Sequence, residues 1–356
     1  RQFPDPATGE LKFYPQLAER WEQKDLTTWI FYLRKGAKFH SGNEVTAYDV
    51  EWTFMRAITW KNMTFPSRSY WLGVKEVKAV DKYTLQFTTD GPYGPFLNCI
   101  STFYTPVFEA ASARKPDFGV SALSGGAGPF RLVEYARGER YVLERFNDYW
   151  DKNNLPKIEK IIVRPVPDDA ARVLAFEAGE FDAIEKASPA EVARLRDKGY
   201  TVDIVPETRI IFLQINMQKP PFDDLKVRQA ASLAIDRDAI FKNVLWGVMG
   251  PARGVMGMVY PFSLNIAEKL GKPPWTYDPG RARQLLKEAG YKGEEIVMWT
   301  SSGRYVADRP LAEAVQAYLT AVGFNVKLEA MEWGTYYAKL SREIMPAYLK
   351  GELKAK

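Results

Sequence analysis

The last third of the chain alternates helical and strand patterns, and this alternation constrains the fold more than any other feature. Asp308 opens a helical stretch that ends at Gly323, with apolar residues along one stripe. Directly after it, Phe324, Val326 and Leu328 alternate with polar residues, as in a half-buried strand. Helices that alternate with strands predict an α/β lobe with a substantially parallel sheet, because parallel strands need a crossover connection, usually a helix.

Other helix starts share an Asp or Ser that can accept a hydrogen bond from the first free backbone N–H groups. The predicted starts are Asp168 or Asp169, Ser188, Asp223-Asp224, Asp236 and Asp278. Ser188 is followed by Pro189 and Glu191, which together predict a capping box.

The first third reads mainly as strands and turns. Residues 29–33 and 83–88 have strand patterns, and Thr46 with Asp49 predicts a capped helix between them. Further strands are predicted at 141–145 and 158–166. Residues 112–128 are rich in Gly, Ser and Pro, so we place a lobe boundary there.

Composition narrows the function. The chain has 356 residues with 49 basic and 44 acidic side chains, a formal charge of +5. The basic residues are dispersed, whereas a nucleic-acid-binding protein usually clusters them on one face. No apolar run approaches the roughly 18–20 residues of a membrane-spanning helix. At roughly 100–200 residues per domain, the length predicts two or three domains.

Catalytic patterns are not evident. His40 is the only histidine and Cys99 the only cysteine, and they cannot form a zinc site by themselves. His40 occurs at a turn, and no Gly-x-Ser-x-Gly motif is present. The glycine-rich residues 124–128 are followed by Pro129 and Phe130, so they lack the Lys and Ser or Thr of a phosphate-binding loop. An oxygen-ligand metal site stays open, although no spacing signature indicates one. The residues therefore predict a multi-lobe binding protein without evident catalytic machinery, and no metal or cofactor is expected.

Aromatic residues point toward ligand binding. The chain has 10 Trp, 19 Tyr and 20 Phe. Tyr70 and Trp71 follow a polar, loop-like stretch that contains Arg68. Exposed aromatic side chains beside arginine are typical of a cleft that binds amphipathic ligands.

Several motifs, in order along nearly the whole chain, resemble one family. They include Pro-Gln-Leu-Ala-Glu-Arg-Trp-Glu at 15–22, Lys-Phe-His-Ser-Gly-Asn-Glu-Val-Thr-Ala-Tyr-Asp-Val at 38–50 and Gly-Ala-Gly-Pro-Phe at 126–130. Leu-Glu-Arg-Phe-Asn-Asp-Tyr-Trp at 143–150, Val-Arg-Gln-Ala at 227–230, Gly-Arg-Tyr at 303–305 and Glu-Trp at 332–333 continue the match. Together they resemble the extracytoplasmic solute-binding proteins of peptide/nickel-type ABC importers, in their large three-lobed branch.

This resemblance implies a type II periplasmic-binding-protein-like α/β fold, with two α/β lobes around a cleft and an extra smaller lobe. The expected division is an N-terminal part with the extra lobe at 1–125, part of the first lobe at 126–215 and the second lobe at 216–343. Residues 344–356 match no part of the family, and both ends are expected to be truncated relative to it.

The resemblance also implies binding residues. Trp333 matches a Glu-Trp position near the ligand in peptide binders, and Tyr70 and Trp71 fall in a region that supplies an aromatic wall. Phe212 and Gln214 are expected on a strand that borders the cleft. Arg304 and Tyr305 are expected in a loop before a helix, where an arginine could bind a ligand carboxylate. Gly126, Gly128 and Pro129 are expected to form a hinge or cleft loop.

The implied function is capture of a solute, with a di- or oligopeptide favoured, and delivery to the membrane permease. The expected protein is a periplasmic or otherwise extracytoplasmic monomer, anchored to the membrane if it is a lipoprotein. Oligosaccharides, nickel chelates, haem and glutathione remain alternative solutes. A second hypothesis is a solute-sensing domain of the same fold, and a third is a hydrolase that uses His40.

Overall fold

The structure is a computed structural model that describes residues 2–5, 10–59, 70–71, 73–102, 106–113, 125–205, 209–250 and 276–343. The chain divides into two compact units, Arg1–Pro165 (unit 1) and Val166–Lys356 (unit 2). The finer division at 125/126 and 215/216 stays a prediction, and the unplaced tail at 344–356 lies outside the described residues.

A four-stranded antiparallel sheet with strand order β3-β4-β6-β5 forms the centre of unit 1. Its strands are β3 (Ala18–Gln23), β4 (Thr28–Leu33), β5 (Val74–Ala79) and β6 (Thr84–Thr89), after a hairpin of β1 (Gln2–Pro4) and β2 (Leu11–Phe13). Helix α1 (Ala47–Thr59) begins where predicted, because Asp49 accepts hydrogen bonds from the backbone N–H and hydroxyl of Thr46. Short helices α2 (Phe96–Ile100) and α3 (Ala110–Ala113) follow β6.

Aromatic side chains fill the space between this sheet and helix α1. Phe87 is fully buried, and its ring lies 5.1 Å from that of Phe54, 5.4 Å from that of Phe31 and 5.3 Å from that of Phe96. These rings meet edge to face, the arrangement that their quadrupoles favour. The alternation in the sequence thus places one face of each strand in a common core.

Unit 1 also contains a three-stranded antiparallel sheet in the order β7-β8-β9. Its strands are β7 (Phe130–Ala136), β8 (Arg140–Arg145) and β9 (Lys160–Val163), with a short 3-10 turn at Lys152–Asn154 between the last two. Strands β8 and β9 confirm the patterns at 141–145 and 158–166, although β9 is shorter than expected.

Unit 2 is built from helices around a parallel pair of strands. The helices are α4 (Asp169–Glu177), α5 (Val192–Asp197), α6 (Leu225–Ala234), α7 (Arg237–Asn243), α8 (Pro279–Glu288), α9 (Asp308–Ala321) and α10 (Trp333–Glu343). Strands β10 (Glu295–Ser302) and β11 (Asn325–Glu332) pair in parallel from Glu295 opposite Asn325 to Ser302 opposite Glu332.

Helix α9 is the crossover between these two strands, so the predicted α/β alternation is confirmed. Phe324, which is 2% exposed, joins a buried cluster with Leu319 of α9 and Leu286 of α8. Four of the predicted cap residues accept a hydrogen bond from the start of their helix: Asp168, Asp224, Asp236 and Asp278.

Two local predictions are wrong. Ser188 makes no capping hydrogen bond, because Pro189–Glu191 form a 3-10 turn before α5 begins at Val192. The strand expected to carry Phe212 and Gln214 is also not formed, since the structure assigns no regular element to residues 209–216. A strand is stable only when its backbone groups pair with a neighbour, and no described strand pairs with this segment.

Candidate functional site

A short loop after β10, residues 303–305 (the Arg304 loop), presents Arg304 and Tyr305. Strands β10 and β11 are parallel, and Ser302 lies opposite Glu332, so the residues that follow each strand emerge at the same edge of the sheet. Arg304 and Tyr305 follow β10, and Trp333 follows β11. In α/β sheets, ligands bind at the carboxyl ends of parallel strands. The topology therefore brings together three residues that the sequence analysis selected from two separate motifs.

The side chains of this cluster are in contact. The Tyr305 ring lies 5.8 Å from the Trp333 ring at an interplanar angle of 84°. The guanidinium carbon of Arg304 lies 5.1 Å from the centre of the Tyr305 ring and 5.2 Å from that of Trp333. One turn along α10, Tyr336 and Tyr337 lie 5.7 and 5.5 Å from Trp333. Burial raises the pKa of Tyr336, with a smaller contribution from Tyr305, so this phenol stays neutral at physiological pH.

Two further cationic side chains, those of Arg209 and Lys186, contact Tyr305 and Arg304. The guanidinium carbon of Arg209 lies 5.5 Å from the Tyr305 ring centre, and Lys186 Nζ donates to the Arg304 carbonyl over 3.3 Å. Within the described part of the chain, neither Arg304 nor Lys186 forms an ion pair with a carboxylate. A half-buried arginine against aromatic faces, without an acidic partner, is suited to bind an anionic group of a ligand.

The backbone of the loop is held by Asp308, at the first turn of α9. Its carboxylate is 8% exposed and accepts hydrogen bonds from the N–H groups of Gly303, Arg304 and Tyr305 over 3.2, 3.0 and 3.1 Å. The Ser301 hydroxyl donates to the same carboxylate over 2.9 Å. Sequence analysis identified Asp308 only as a helix start, so its contact with the loop was missed.

Gly303 is required by its surroundings. Its φ is +76°, and a Cβ at this position would lie 2.9 Å from the carbonyl oxygen of Pro167. Any larger residue would therefore both strain the backbone and displace the segment before α4. Glycine in the Gly-Arg-Tyr motif is thus explained by close backbone packing within unit 2.

The remaining predicted residues of unit 2 are exposed. Phe212 has 69% of its surface accessible, and Gln214 is also exposed. Their segment has no regular structure, so no element of the sheet orients these side chains toward the Arg304 loop. Their part in ligand binding stays a prediction.

Tyr70 and Trp71 belong to unit 1 and differ in exposure. Trp71 is only 2% exposed, and its ring lies 4.8 Å from that of Phe54, edge to face. The indole is therefore part of the core, with little surface left for a solute. Tyr70 is half-buried and packs against the same core. Its placement in an aromatic wall stays a prediction.

Gly126, Gly128 and Pro129 form a loop that packs on His40. The His40 backbone N–H donates to the Gly126 carbonyl over 2.7 Å, and His40 Nε2 lies 3.0 Å from the Gly128 carbonyl oxygen. A Cβ at Gly126 would lie 3.0 Å from the imidazole ring. This loop belongs to unit 1, and its assignment as a hinge stays a prediction.

His40 itself is packed as a structural residue. Its ring meets that of Phe146 edge to face at 5.0 Å. Burial lowers the pKa of His40 from 6.5; the hydrogen bond to Gly128 raises it and nearby Arg131 lowers it further. The neutral imidazole is therefore favoured, and no described serine or cysteine is hydrogen-bonded to it.

Glu109 was not anticipated from the sequence. Its carboxylate is 4% exposed and accepts hydrogen bonds from Ser41 over 2.9 Å, from Asn43 over 2.6 Å and from the Ser112 hydroxyl. Hydrogen bonds from these donors offset the free-energy cost of burying the carboxylate. Glu109 thus fixes the turn of the His-Ser-Gly-Asn motif, and no local pattern around residue 109 predicts this role.

An open pocket of about 520 Å³ lies elsewhere on unit 1. Arg34 and Trp150 are among the residues that line it, and the guanidinium carbon of Arg34 lies 4.2 Å from the Trp150 ring centre. Arg34 Nε also donates to the Gln16 carbonyl over 2.6 Å. Arg34 Nη1 also lies 3.6 Å from the Glu19 carboxylate, so this arginine, unlike Arg304, already has an acidic partner.

The α/β fold is that of periplasmic binding proteins, as similar solved structures show. The dipeptide-binding protein from Pseudoalteromonas sp. SM9913, solved with Met-Leu, has a TM-score of 0.78 and 26% identity; the match covers 96% of this chain and 71% of that one. The family model of the bacterial extracellular solute-binding proteins, family 5 Middle, matches residues 12–353. The chain belongs to this family, and the resemblance seen in the sequence is confirmed.

Curated relatives agree with this assignment. The dipeptide-binding protein of Escherichia coli K12 is 31% identical over 92% of this chain and 65% of its own length. The glutathione-binding protein GsiB of Pectobacterium atrosepticum is 30% identical over 93% of this chain and 63% of its own. The chain thus spans slightly less than two thirds of these relatives. Among the described residues, no helix combines the length and apolarity needed to cross a bilayer.

Proposed function

We propose that this chain is the solute-binding component of an ABC importer and that Arg304 binds an anionic group of the solute. The observation that carries the proposal is the placement of Arg304 against Tyr305 and Trp333, without a carboxylate partner in the described residues. Ionised groups that hydrogen-bond to a guanidinium form short and strong contacts, often bidentate. The two rings would pack against the apolar part of the same solute.

A di- or oligopeptide is the solute that we favour. A peptide has a terminal carboxylate for Arg304 and apolar side chains for the aromatic cluster. Its extended backbone can also be recognised by main-chain hydrogen bonds, which give affinity without strong selection of side chains. The dipeptide-binding relatives support this choice, and the glutathione-binding relatives make glutathione the second candidate.

The proposal includes the setting of the protein. We propose an extracytoplasmic monomer that delivers its solute to the membrane subunits of the importer and breaks no bond in the process. Its relatives are binding proteins, which supports this interpretation. A ligand-stabilised closed state would provide the signal to the permease, since a ligand shifts a conformational equilibrium by its differential affinity.

Calorimetric titration with Met-Leu and with Met-Leu amide tests the anionic contact directly. The two probes differ only in the terminal carboxylate, so binding of the acid but not of the amide supports recognition of the charge. Arg304→Ala is expected to weaken binding of the acid roughly tenfold to a hundredfold, because a hydrogen bond to a charged group contributes about 1.5–3 kcal/mol. Equal affinity for acid and amide would contradict the proposal.

Arg309→Ala is the matched control. Arg309 is also on unit 2, but its side chain is exposed and bound to Glu313 over 2.9 Å. Both variants remove one positive charge, so an equal loss of affinity would indicate a general electrostatic effect rather than a site. Glutathione is titrated alongside, and native mass spectrometry of the gently purified chain identifies a bound sugar, metal chelate or other solute if neither probe binds.

A further inference from the structure

The loop that presents Arg304 and Tyr305 wraps around a single buried carboxylate. Consecutive N–H groups of Gly303, Arg304 and Tyr305 all point at the Asp308 side chain. Such a run of N–H groups makes a concave site that favours an anion. Here the anion is supplied by the chain itself, four residues beyond Arg304.

The conformation of this loop is unfavourable by itself. Gly303 has a φ of +76°, which glycine adopts without strain, whereas Ala307 has a side chain and a φ of 54°. Left-handed backbone at a residue with a Cβ is uncommon and persists only where the surroundings impose it. The Asp308 carboxylate supplies that constraint, because it accepts hydrogen bonds from the N–H groups of residues 303–305 before the bend and from that of Arg309 after it.

A second residue with a positive φ also contacts the Arg304 loop. Lys186 has a φ of 61°, and its ammonium group donates to the Arg304 carbonyl. The Lys186 carbonyl in turn accepts a hydrogen bond from Arg172 over 2.7 Å. Both polar groups of the Arg304 backbone are thus hydrogen-bonded: the carbonyl accepts from Lys186, and the N–H donates to Asp308.

We propose that Asp308 is a positioning residue for solute binding: by fixing the backbone at 303–305, it holds Arg304 and Tyr305 against Trp333 before the solute arrives. This inference rests on the proposed function and adds to it the residue that preorganises the site. A preorganised site binds more tightly, because less conformational freedom is lost when the complex forms. Asp308 acts only through the loop and has no direct contact with the solute.

Asp308→Asn tests the inference, with Asp278→Asn as its matched control. Each aspartate accepts hydrogen bonds at the start of a unit 2 helix, and Asp278 does so for Arg281 over 2.8 Å. We expect Asp308→Asn to weaken binding of Met-Leu about tenfold, since asparagine keeps only one acceptor oxygen and places an NH2 donor where the second carboxylate oxygen accepts hydrogen bonds. Asp278→Asn is expected to lower thermal stability and leave the affinity unchanged.

A double-mutant cycle with Arg304→Ala distinguishes positioning from general destabilisation. If Asp308 acts through Arg304, Asp308→Asn changes the affinity less than about twofold once Arg304 is already alanine. A merely structural role would cost the same factor in both backgrounds and would overturn the inference. An unchanged affinity in Arg304→Ala alone would instead contradict the proposed function, so the two failures are distinguishable.

Amide hydrogen exchange gives a readout that needs no ligand. Asp308→Asn is expected to speed exchange at residues 303–305 at least about tenfold relative to the original chain, because their acceptor is weakened. Unchanged exchange in this peptide would overturn the inference even if Met-Leu does not bind. Should Asp308→Asn fail to fold, Asp308→Ser, which keeps a side-chain acceptor at the helix start, takes its place in every measurement.

Discussion

Arg304 and Trp333 are in contact although they are 29 positions apart in the sequence: the guanidinium carbon lies 5.2 Å from the centre of the indole ring. The contact follows from the parallel pairing of β10 with β11, whose carboxyl ends meet at Ser302 and Glu332. A cation over an aromatic face is stabilised by the ring quadrupole, and the ring in turn shields it from water. The pair therefore joins two motifs into one surface at the edge of the sheet.

Trp333→Ala is expected to weaken binding of Met-Leu roughly fivefold to thirtyfold, because the apolar part of the solute loses the indole face and burial of apolar surface of this size contributes about 1–2 kcal/mol. Trp333→Phe keeps an aromatic face and should lose less. The control is Trp246→Ala, which removes an indole that is 62% exposed elsewhere on unit 2. Calorimetric titration measures all three variants, and a larger loss in Trp246→Ala than in Trp333→Ala would refute the assignment of the site.

Gly303→Ala tests the close approach of the Arg304 loop to Pro167. We compare it with Gly290→Ala, because Gly290 has a similar φ of +68° but a Cβ added there would meet no atom within 4 Å. A left-handed backbone costs alanine about 1 kcal/mol at either position. Gly303→Ala should lower the free energy of unfolding by a further ~1–3 kcal/mol, as overpacking does. Urea unfolding monitors both variants, and equal losses would show that the Pro167 contact is relieved without cost.

Much of unit 2 follows from local patterns. The apolar stripe after Asp308 and the alternation from Phe324 predict a helix and a strand, and the structure has both as α9 and β11. Parallel pairing follows from their order, and it explains why the Gly-Arg-Tyr and Glu-Trp motifs share one edge. Here the sequence is informative because each signal is contained within one helix or one strand.

Other features depend on distant contacts, and no local signal predicts them. Glu109 is buried by partners 66 and 68 residues away, Asn43 and Ser41. Lys186 reaches the Arg304 loop across 118 positions.

Trp71 follows a polar stretch and resembles a binding residue, yet the tertiary fold places it in the core beside Phe54. Burial of a single aromatic residue is set by packing, which a pattern over a few residues does not contain.

The single histidine of the chain offers a direct test of the packing in unit 1. Burial against Phe146 lowers the pKa of His40, so the Cε1 proton in NMR should titrate below 6.5 in the folded chain and near 6.5 in concentrated urea. Because the folded state disfavours the imidazolium, His40 stabilises the fold fully above pH 6.5, and this contribution falls as the pH drops through the folded pKa. Phe146→Leu should move the pKa back toward 6.5, and a folded pKa above 6.5 would contradict the burial of the ring.

Glu177 predicts an acid-sensitive contribution to the stability of unit 2. Hydrogen bonds from Arg194 and Lys198, over 2.7 and 2.8 Å, lower the pKa of Glu177 from 4.5 to about 2. A carboxyl group with a lowered folded-state pKa stabilises the fold above pH 4.5, and this stabilisation is lost as the pH falls toward 2. Glu177→Gln should therefore reduce the urea midpoint at neutral pH, and the difference from the original chain should shrink steadily on acidification.

The control is Asp197→Asn in the neighbouring helix α5. It removes a carboxylate that forms no ion pair with a described residue and should have little effect at neutral pH. A Glu177→Gln difference that stays constant from neutral to acidic pH would mean that the two cations stabilise the region by packing rather than by charge.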